Sequence, residues 1–199
     1  MYESPLASAL HFQNEGAEYL HLVDLDGSLE KHPVNHEIIK DIKEKTGLFC
    51  EVGGGIRTIG DIGYYVSCGI DRVILGTAAL QNPEFVKEAL QKYPNVVSVG
   101  IDAKNGKVCG EGWLEESNDD FVAFAKKMEQ AGVRHIVYTD IHTDGTLNGP
   151  NFEHLSMLQK AVSMDITASG GIRDISHIKK LKEMGLYGAI SVSYTHLRR

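Results

Sequence analysis

The residues best suited to chemistry cluster around glycine. Val52-Gly53-Gly54-Gly55-Ile56-Arg57 closes the apolar run Leu48 to Val52, and Ser169-Gly170-Gly171-Ile172-Arg173 follows the run Ile166 to Ala168, 116 residues later. Each copy precedes a helix-like segment. Glycines at such a junction let the backbone approach a ligand closely and leave amide N–H groups free to face an anion. The helix that follows adds its positive end, so phosphate is the natural guest. A tight strand-to-helix turn without a ligand is the other reading of a single copy, since a lone glycine cluster is a weak motif; two copies in register favour the first. Gly76-Thr77 ends another apolar run, Arg72 to Leu75, and can complete a phosphate cradle with its N–H and hydroxyl groups.

Carboxylates form a second set. Asp102 ends the run Val96 to Ile101, and Asp24 and Asp26 lie at the end of Tyr19 to Leu25. Carboxylates at the C-terminal ends of parallel strands would face the catalytic rim of a barrel, although an aspartate in such a place can equally cap a turn. The stretch Thr139 to Pro150 gathers further groups that donate or accept protons; an Asp-Gly turn explains Asp144-Gly145 but not the whole cluster.

The elements that must position these residues are legible as a duplication. Sliding the chain by 116 residues pairs Gly16 with Gly132, Asp24 with Asp140, Asn35 with Asn151, Gly69 with Gly185 and Ile74 with Ile190. This is a long repeated unit, not a solenoid period. Helices are predicted over Pro5 to Glu15, Asn35 to Glu44, Ile59 to Ser67, Asn82 to Gln91, Asp120 to Gln130 and Ile175 to Met184. Strands are predicted over Tyr19 to Leu25 (an apolar run fit to be buried on both faces), Arg72 to Leu75, Val96 to Ile101, His135 to Tyr138 and Gly188 to Val192. Alternating strands and helices argue for a parallel sheet, and two such units would close an eight-stranded (β/α) barrel of the TIM type. Ala103 to Asp119 reads as a long loop with a hairpin turn at Lys104-Asn105-Gly106-Lys107; it carries Trp113, read either as a lid or as a core residue.

Composition narrows the function. The 199 residues suit a single domain, with residues 1–94 as the first half-barrel, 95–193 as the second and 194–199 as a tail foreign to the pattern. Net charge is −7 without a block of Lys and Arg, which argues against a nucleic-acid partner. No signal peptide and no apolar run of spanning length is evident, so no membrane association is expected. Cys50, Cys68 and Cys109 have neither zinc-ligand nor redox spacing and fit reduced thiols in a cytoplasmic protein. The histidines are scattered, so no metal is expected. By the duplication, Asp102 maps to a position before Met1, Gly76-Thr77 maps onto Val192-Ser193, and the helix Asn82 to Gln91 has no counterpart. The expectation is a barrel without its first strand and last helix.

With these pieces in place, the chain resembles the phosphoribosylformimino-5-aminoimidazole carboxamide ribotide isomerases, barrel isomerases of histidine biosynthesis. The resemblance rests on Tyr19 to Gly27, Val52 to Arg57, Val73 to Thr77, Ser98 to Ala103, Tyr138 to Pro150 and Ser169 to Arg173. It implies an Amadori rearrangement of an aminoaldose ribotide to an aminoketose, with a substrate carrying two phosphates, one per half. Asp102 matches the proton donor, and Thr139 and Asp144 match positions that assist catalysis. The proton-accepting aspartate of the family belongs to the first strand. Gly54, Gly55, Gly76 and Thr77 match one phosphate cradle and Gly170 and Gly171 half of the other, with Arg57, Gly145 and Thr146 also substrate-binding. The resemblance further implies a monomer and no metal or organic cofactor. Two other readings stay open: the cyclase subunit of imidazole glycerol phosphate synthase, which shares the duplicated barrel, and a non-catalytic bisphosphate-binding fragment.

Overall fold

The computed structural model describes residues 4–192. In chain order the elements are α1 (Pro5–Asn14), β1 (Tyr19–Val23), α2 (Leu25–Glu30), α3 (His36–Thr46), β2 (Phe49–Gly53), α4 (Ile59–Ser67), β3 (Arg72–Leu75), α5 (Thr77–Gln81) and α6 (Pro83–Lys92). Then follow β4 (Val97–Lys104), β5 (Lys107–Gly110), β6 (Glu115–Asp120), α7 (Phe121–Gln130), β7 (His135–Asp140), α8 (Phe152–Ala161), β8 (Asp165–Ser169), α9 (Ile175–Glu183) and β9 (Gly188–Ala189). The tail 194–199 lies outside the described residues.

The strands form one nine-stranded sheet in the order β1-β2-β3-β4-β7-β8-β9, with β5 and β6 attached to β4. Every pairing along that path is parallel. The sheet curls into an incomplete TIM-type barrel, with β1 and β9 at its two edges. Alternation divides its faces. On β4, Val97, Val99, Ile101 and Ala103 point outward into the helices and are buried, while Gly100 and Asp102 line the inner cavity. The outer core is closed by apolar helix residues such as Ile62, Tyr65, Phe85, Phe124, Leu155 and Leu158. No helix among the described residues is long and apolar enough to cross a membrane.

Local chemistry explains the element boundaries. Helix α4 starts with a capping box, in which Thr58 accepts from Asp61 N and Asp61 accepts from Thr58 N. Asn82 and Pro83 open α6, and Asp120 caps α7 through Val122 N and Ala123 N. The structure corrects three expectations. Strand β1 is half-exposed, with Tyr19 at 65% and Val23 at 49%, because β2 alone pairs with it. The stretch expected as a long loop from Ala103 has the expected hairpin turn at Lys104 to Lys107, with Asn105 and Gly106 at positive φ (52° and 76°), but its arms are strands: β5 runs back antiparallel onto β4 just beyond the end of β3, and β6 pairs with β5. The short helices α2 and α5 fill connections that the sequence pattern leaves irregular.

Asp24, buried at the C-terminal end of β1, shapes that rim of the sheet. Its carboxylate accepts from Gly27 N, Val34 N, Asn35 N and Asn35 Nδ2, all at 2.8–2.9 Å. Burial opposes its charge, but the N–H groups of Asn35 and Gly27, the Asn35 amide and Val34 N–H together hold its pKa below the usual aspartate range. Asp24→Ala therefore leaves several buried donors unpaired and should cost about 2–4 kcal/mol, read as a lower urea midpoint at unchanged slope. Because the folded pKa is depressed, this contribution is present above about pH 4 and is lost as the pH falls further. The two proteins should then converge in stability under acid.

Candidate functional site

The curled sheet encloses a cavity of about 1700 Å³. Of the sequence-predicted site residues, Gly54, Gly55, Arg57, Gly76, Thr77, Asp102, Thr139 and Asp144 line it. Gly145, Gly170 and Gly171 lie in a small adjoining recess that also contains Asp144. Thr146 is not brought to either wall; its hydroxyl donates to Thr143 O and caps a turn. Asp24, as described, is spent inside its own turn, and Asp26 is exposed, accepting from Asn35 Nδ2.

The glycine pairs are explained by packing. A Cβ on Gly54 would stand 2.2 Å from Asp24 O, and one on Gly55 2.5 Å from Gly27 O. In the second copy, a Cβ on Gly171 would meet Gly149 O at 2.4 Å, and one on Gly170 would meet Asp140 O at 3.1 Å. All four also have positive φ. The β1–α2 and β7–α8 connections thus lie directly on these glycines. Gly76 is different: a Cβ there would meet nothing within 4 Å, and the residue borders the cavity.

Asp102 stands near the C-terminal end of β4, in register with Thr139 of β7. Its Oδ2 accepts from Trp113 Nε1 at 2.8 Å. Burial raises its pKa above the usual carboxylate range; the Trp113 N–H and the Thr139 hydroxyl pull it down, and the Asp144 charge pushes it up. The carboxyl therefore keeps its proton to a higher pH than an ordinary aspartate. Trp113 is 42% exposed and lines the cavity, so it is not a core residue.

Deeper in the cavity the strands supply a charged cluster that sequence reasoning missed. His21 Nδ1 lies 2.7 Å from Glu51 Oε1, and Arg72 Nη1 donates to Glu51 Oε2 and to His135 Nε2, both at 3.3 Å. Arg72 also sits over the rings of Phe49 and Tyr187. Burial and the Arg72 charge push the His135 pKa down to about 4, against the pull of Glu51. His135 is thus neutral near pH 7, and its Nε2 lies 2.9 Å from Thr167 Oγ1 as well as 3.3 Å from Arg72 Nη1. The signal was a polar residue inside an apolar run, at even spacing from the cradle glycines: Glu51 before Gly53, Arg72 before Gly76.

Another missed residue is Glu111, in the tight turn between β5 and β6. Its N–H donates to Thr77 Oγ1 at 2.9 Å, and its carboxylate meets Arg57 Nη2 at 3.1 Å, Lys31 Nζ at 3.0 Å and Gln81 Nε2 at 2.9 Å. Nothing in the sequence pattern marked it. Among the described residues, no group of three or more His, Cys, Asp or Glu side chains is placed to hold a metal ion. The site offers a rim with glycines, Arg57 and Thr77, a carboxyl whose pKa is raised, and below them the cluster of His21, Glu51, Arg72 and His135.

A family model described as "Histidine biosynthesis protein" matches residues 1–199. The chain is 53% identical over 188 residues to the 1-(5-phosphoribosyl)-5-((5-phosphoribosylamino)methylideneamino) imidazole-4-carboxamide isomerase of Clostridium novyi (strain NT), covering 94% of this chain and 79% of that relative. The protein of the same name from Listeria welshimeri is 52% identical over 189 residues, covering 95% of this chain and 79% of the relative. That from Clostridium beijerinckii is 52% identical over 184 residues, covering 92% and 77%.

The two kinds of glycine predict opposite behaviour. Gly54→Ala forces a Cβ into Asp24 O at a left-handed backbone position and should abolish cooperative thermal unfolding, followed by circular dichroism. Gly76→Ala should keep stability within about 1 kcal/mol of the parent while weakening the binding of inorganic phosphate, followed by calorimetry.

Proposed function

The chain belongs to the histidine biosynthesis protein family, and we propose that it is the isomerase that converts the aminoaldose ribotide to its aminoketose by acid–base catalysis. The observation that carries the mechanistic part is the Asp102 carboxyl, facing the cavity with a raised pKa. Opening the ribose ring needs a proton at the ring oxygen, and a carboxyl that holds its proton to a higher pH than an ordinary aspartate can supply it. Asp102 fills that part. Thr139 steadies the carboxyl from the neighbouring strand, and Asp144, on the loop beyond β7, keeps its proton in place by charge. The rearrangement also requires a base at the carbon next to the new imine; none of the described carboxylates is assigned that part.

The two phosphates of the substrate are taken by the two glycine-bearing rims. Gly54, Gly55, Arg57, Gly76 and Thr77 form one, and Gly145, Gly170 and Gly171 the other. Each belongs to one half of the duplicated chain, residues 1–94 and 95–193. Arg57 supplies a fork of donors suited to phosphate, and the Thr77 hydroxyl stands beside it through Glu111. On this reading the protein works as a cytoplasmic monomer on a small bisphosphate ligand, without nucleic acid, membrane, metal or organic cofactor. The free Cys50, Cys68 and Cys109 are in keeping with a reducing compartment.

The test is turnover of the aminoaldose ribotide by the purified protein, with Asp102→Asn beside it. The substitution should lower kcat by about 10²–10⁴ with the fold intact. An unchanged rate in Asp102→Asn overturns the assignment of the acid, and absence of both turnover and substrate binding overturns the reading as a whole. A pH series separates the acid from a merely structural carboxylate. Asp102 acts protonated, so activity should fall as the pH rises through its raised pKa. Trp113→Phe removes a hydrogen bond that favours the ionised form, so this alkaline limb should move to higher pH.

A further inference from the structure

Glu111 occupies an unusual place. Its carboxylate is 10% exposed and gathers Lys31 from the end of α2, Arg57 from the β2–α4 connection and Gln81 from α5. Its own N–H is on Thr77 Oγ1. These partners come from separate elements and converge on one anionic group. Two cations, an amide and a neighbouring hydroxyl are the donor set that phosphate binding uses. The hydrogen bond from Lys31 foremost, against a smaller effect of burial, then those from Arg57 and Gln81, hold the Glu111 pKa below the usual glutamate range, so the group is an anion at neutral pH.

The backbone at the same point is strained. Glu111, Gly112 and Trp113 take φ of 50°, 62° and 73° in succession. Two non-glycine residues in the left-handed region on either side of a glycine persist only where their contacts over-determine them. Those contacts are the two ends of the run: the Glu111 carboxylate on Arg57 and Lys31, and the Trp113 indole on Asp102 at 2.8 Å. One short hairpin tip therefore covers both the proposed phosphate rim and the proposed acid.

We propose that Glu111 is a resident stand-in for a substrate phosphate: its carboxylate holds Arg57 and Lys31 in the unliganded protein, and an incoming phosphate displaces it and so frees the Trp113 indole from Asp102. The inference rests on the phosphate-binding reading above and adds a residue that sets affinity and couples it to the acid. It requires no new chemistry: a dianion takes the donors of a monoanion, and the strained tip relaxes once its anchor is lost. Glu111 opposes binding in the ground state and in return ensures that Asp102 is uncovered only when phosphate has arrived.

The test uses inorganic phosphate as the probe and the fluorescence of Trp113, the single tryptophan of the chain, as the readout. Phosphate should change the emission of the parent protein on saturation. Glu111→Gln keeps the shape and removes the charge; it should bind phosphate about tenfold tighter and show, before phosphate is added, emission close to that of the saturated parent. Glu111→Asp, which keeps the charge, should remain nearer the parent than Glu111→Gln does. Equal or weaker phosphate binding by a folded Glu111→Gln overturns the proposal, since Glu111 would then be neutral to the site or part of it. Tighter binding with no change in Trp113 emission overturns the coupling to Asp102. Arg57→Gln separates the underlying reading: if parent, Glu111→Gln and Arg57→Gln all fail to bind phosphate, or all bind it alike, the phosphate rim itself is misplaced and the proposal falls with it.

Discussion

A buried aspartate at the end of a strand, satisfied almost wholly by one asparagine and the backbone around it, is the constraint on which the rim of this barrel depends. In the first half Asp24 takes Asn35 Nδ2 and three backbone N–H groups; in the second, Asp140 takes Asn151 Nδ2 and His142 N. The bond fixes each strand-to-helix connection as a tight fold. Its carbonyls, Asp24 O and Gly27 O in one copy and Asp140 O and Gly149 O in the other, then lie on the glycine pairs of the next strand. A side chain on those glycines would lift the connection off and expose the aspartate. Aspartate, asparagine and glycine pair are thus one interacting unit, and each depends on the other two. That interdependence accounts for the same residues at the same offset in both halves better than phosphate contact alone.

The cavity chemistry follows from which side chains that unit leaves free. With Asp24 and Asp140 engaged in the connections, the carboxyl-bearing residues that line the cavity, among the described residues, are Asp102, Glu51, Asp144 and Glu15. The hairpin beyond β4 acts on the first of these. Its Asn105-Gly106 turn sends β5 back against β4, which carries Glu111 to Thr77 and Trp113 to Asp102. A loop of the same length without that turn would have no reason to return over the site. The strained turn is the local cost of the arrangement, offset by its two anchors, the Glu111 carboxylate on Arg57 and Lys31 and the Trp113 indole on Asp102.

Much of this was legible in the sequence where local rules are strong. The helix Ile59–Ser67 and the strand Arg72–Leu75 have the bounds that capping and apolar runs predict, because Thr58, Asp61 and Gly69 mark their limits chemically. The parallel sheet followed from the repeat. The rest depended on tertiary context. β6, Glu115–Asp120, is almost entirely polar and is a strand only because β5 pairs with it. The short helices α2 and α5 have too few residues to show a period. The carbonyls that press on Gly54 and Gly171 come from connections distant in sequence, which no local pattern reveals. Glu111 was invisible for the same reason: its partners Lys31, Arg57 and Gln81 are far away in sequence and meet only when the barrel curls.

The cavity also shows how one fold sets two carboxyl groups to different tasks. Glu51 faces the His21 ring and the Arg72 guanidinium, which overcome the effect of its burial and hold its pKa below the glutamate range. Asp102 has the Trp113 indole and the Thr139 hydroxyl as donors and the Asp144 charge nearby, and there burial prevails and its pKa is raised. Burial acts in the same sense on both; Glu51 has the Arg72 guanidinium in contact and Asp102 does not. Glu51 is thereby fixed as an anion that neutralises Arg72 and keeps His135 next to a paired, not a bare, guanidinium. Asp102 is left as a carboxyl that holds its proton to a higher pH than an ordinary aspartate, the property that the proposed acid role draws on. The division rests on Arg72 standing on β3 beside Glu51 and away from Asp102, a placement set by the parallel register of β2 and β3.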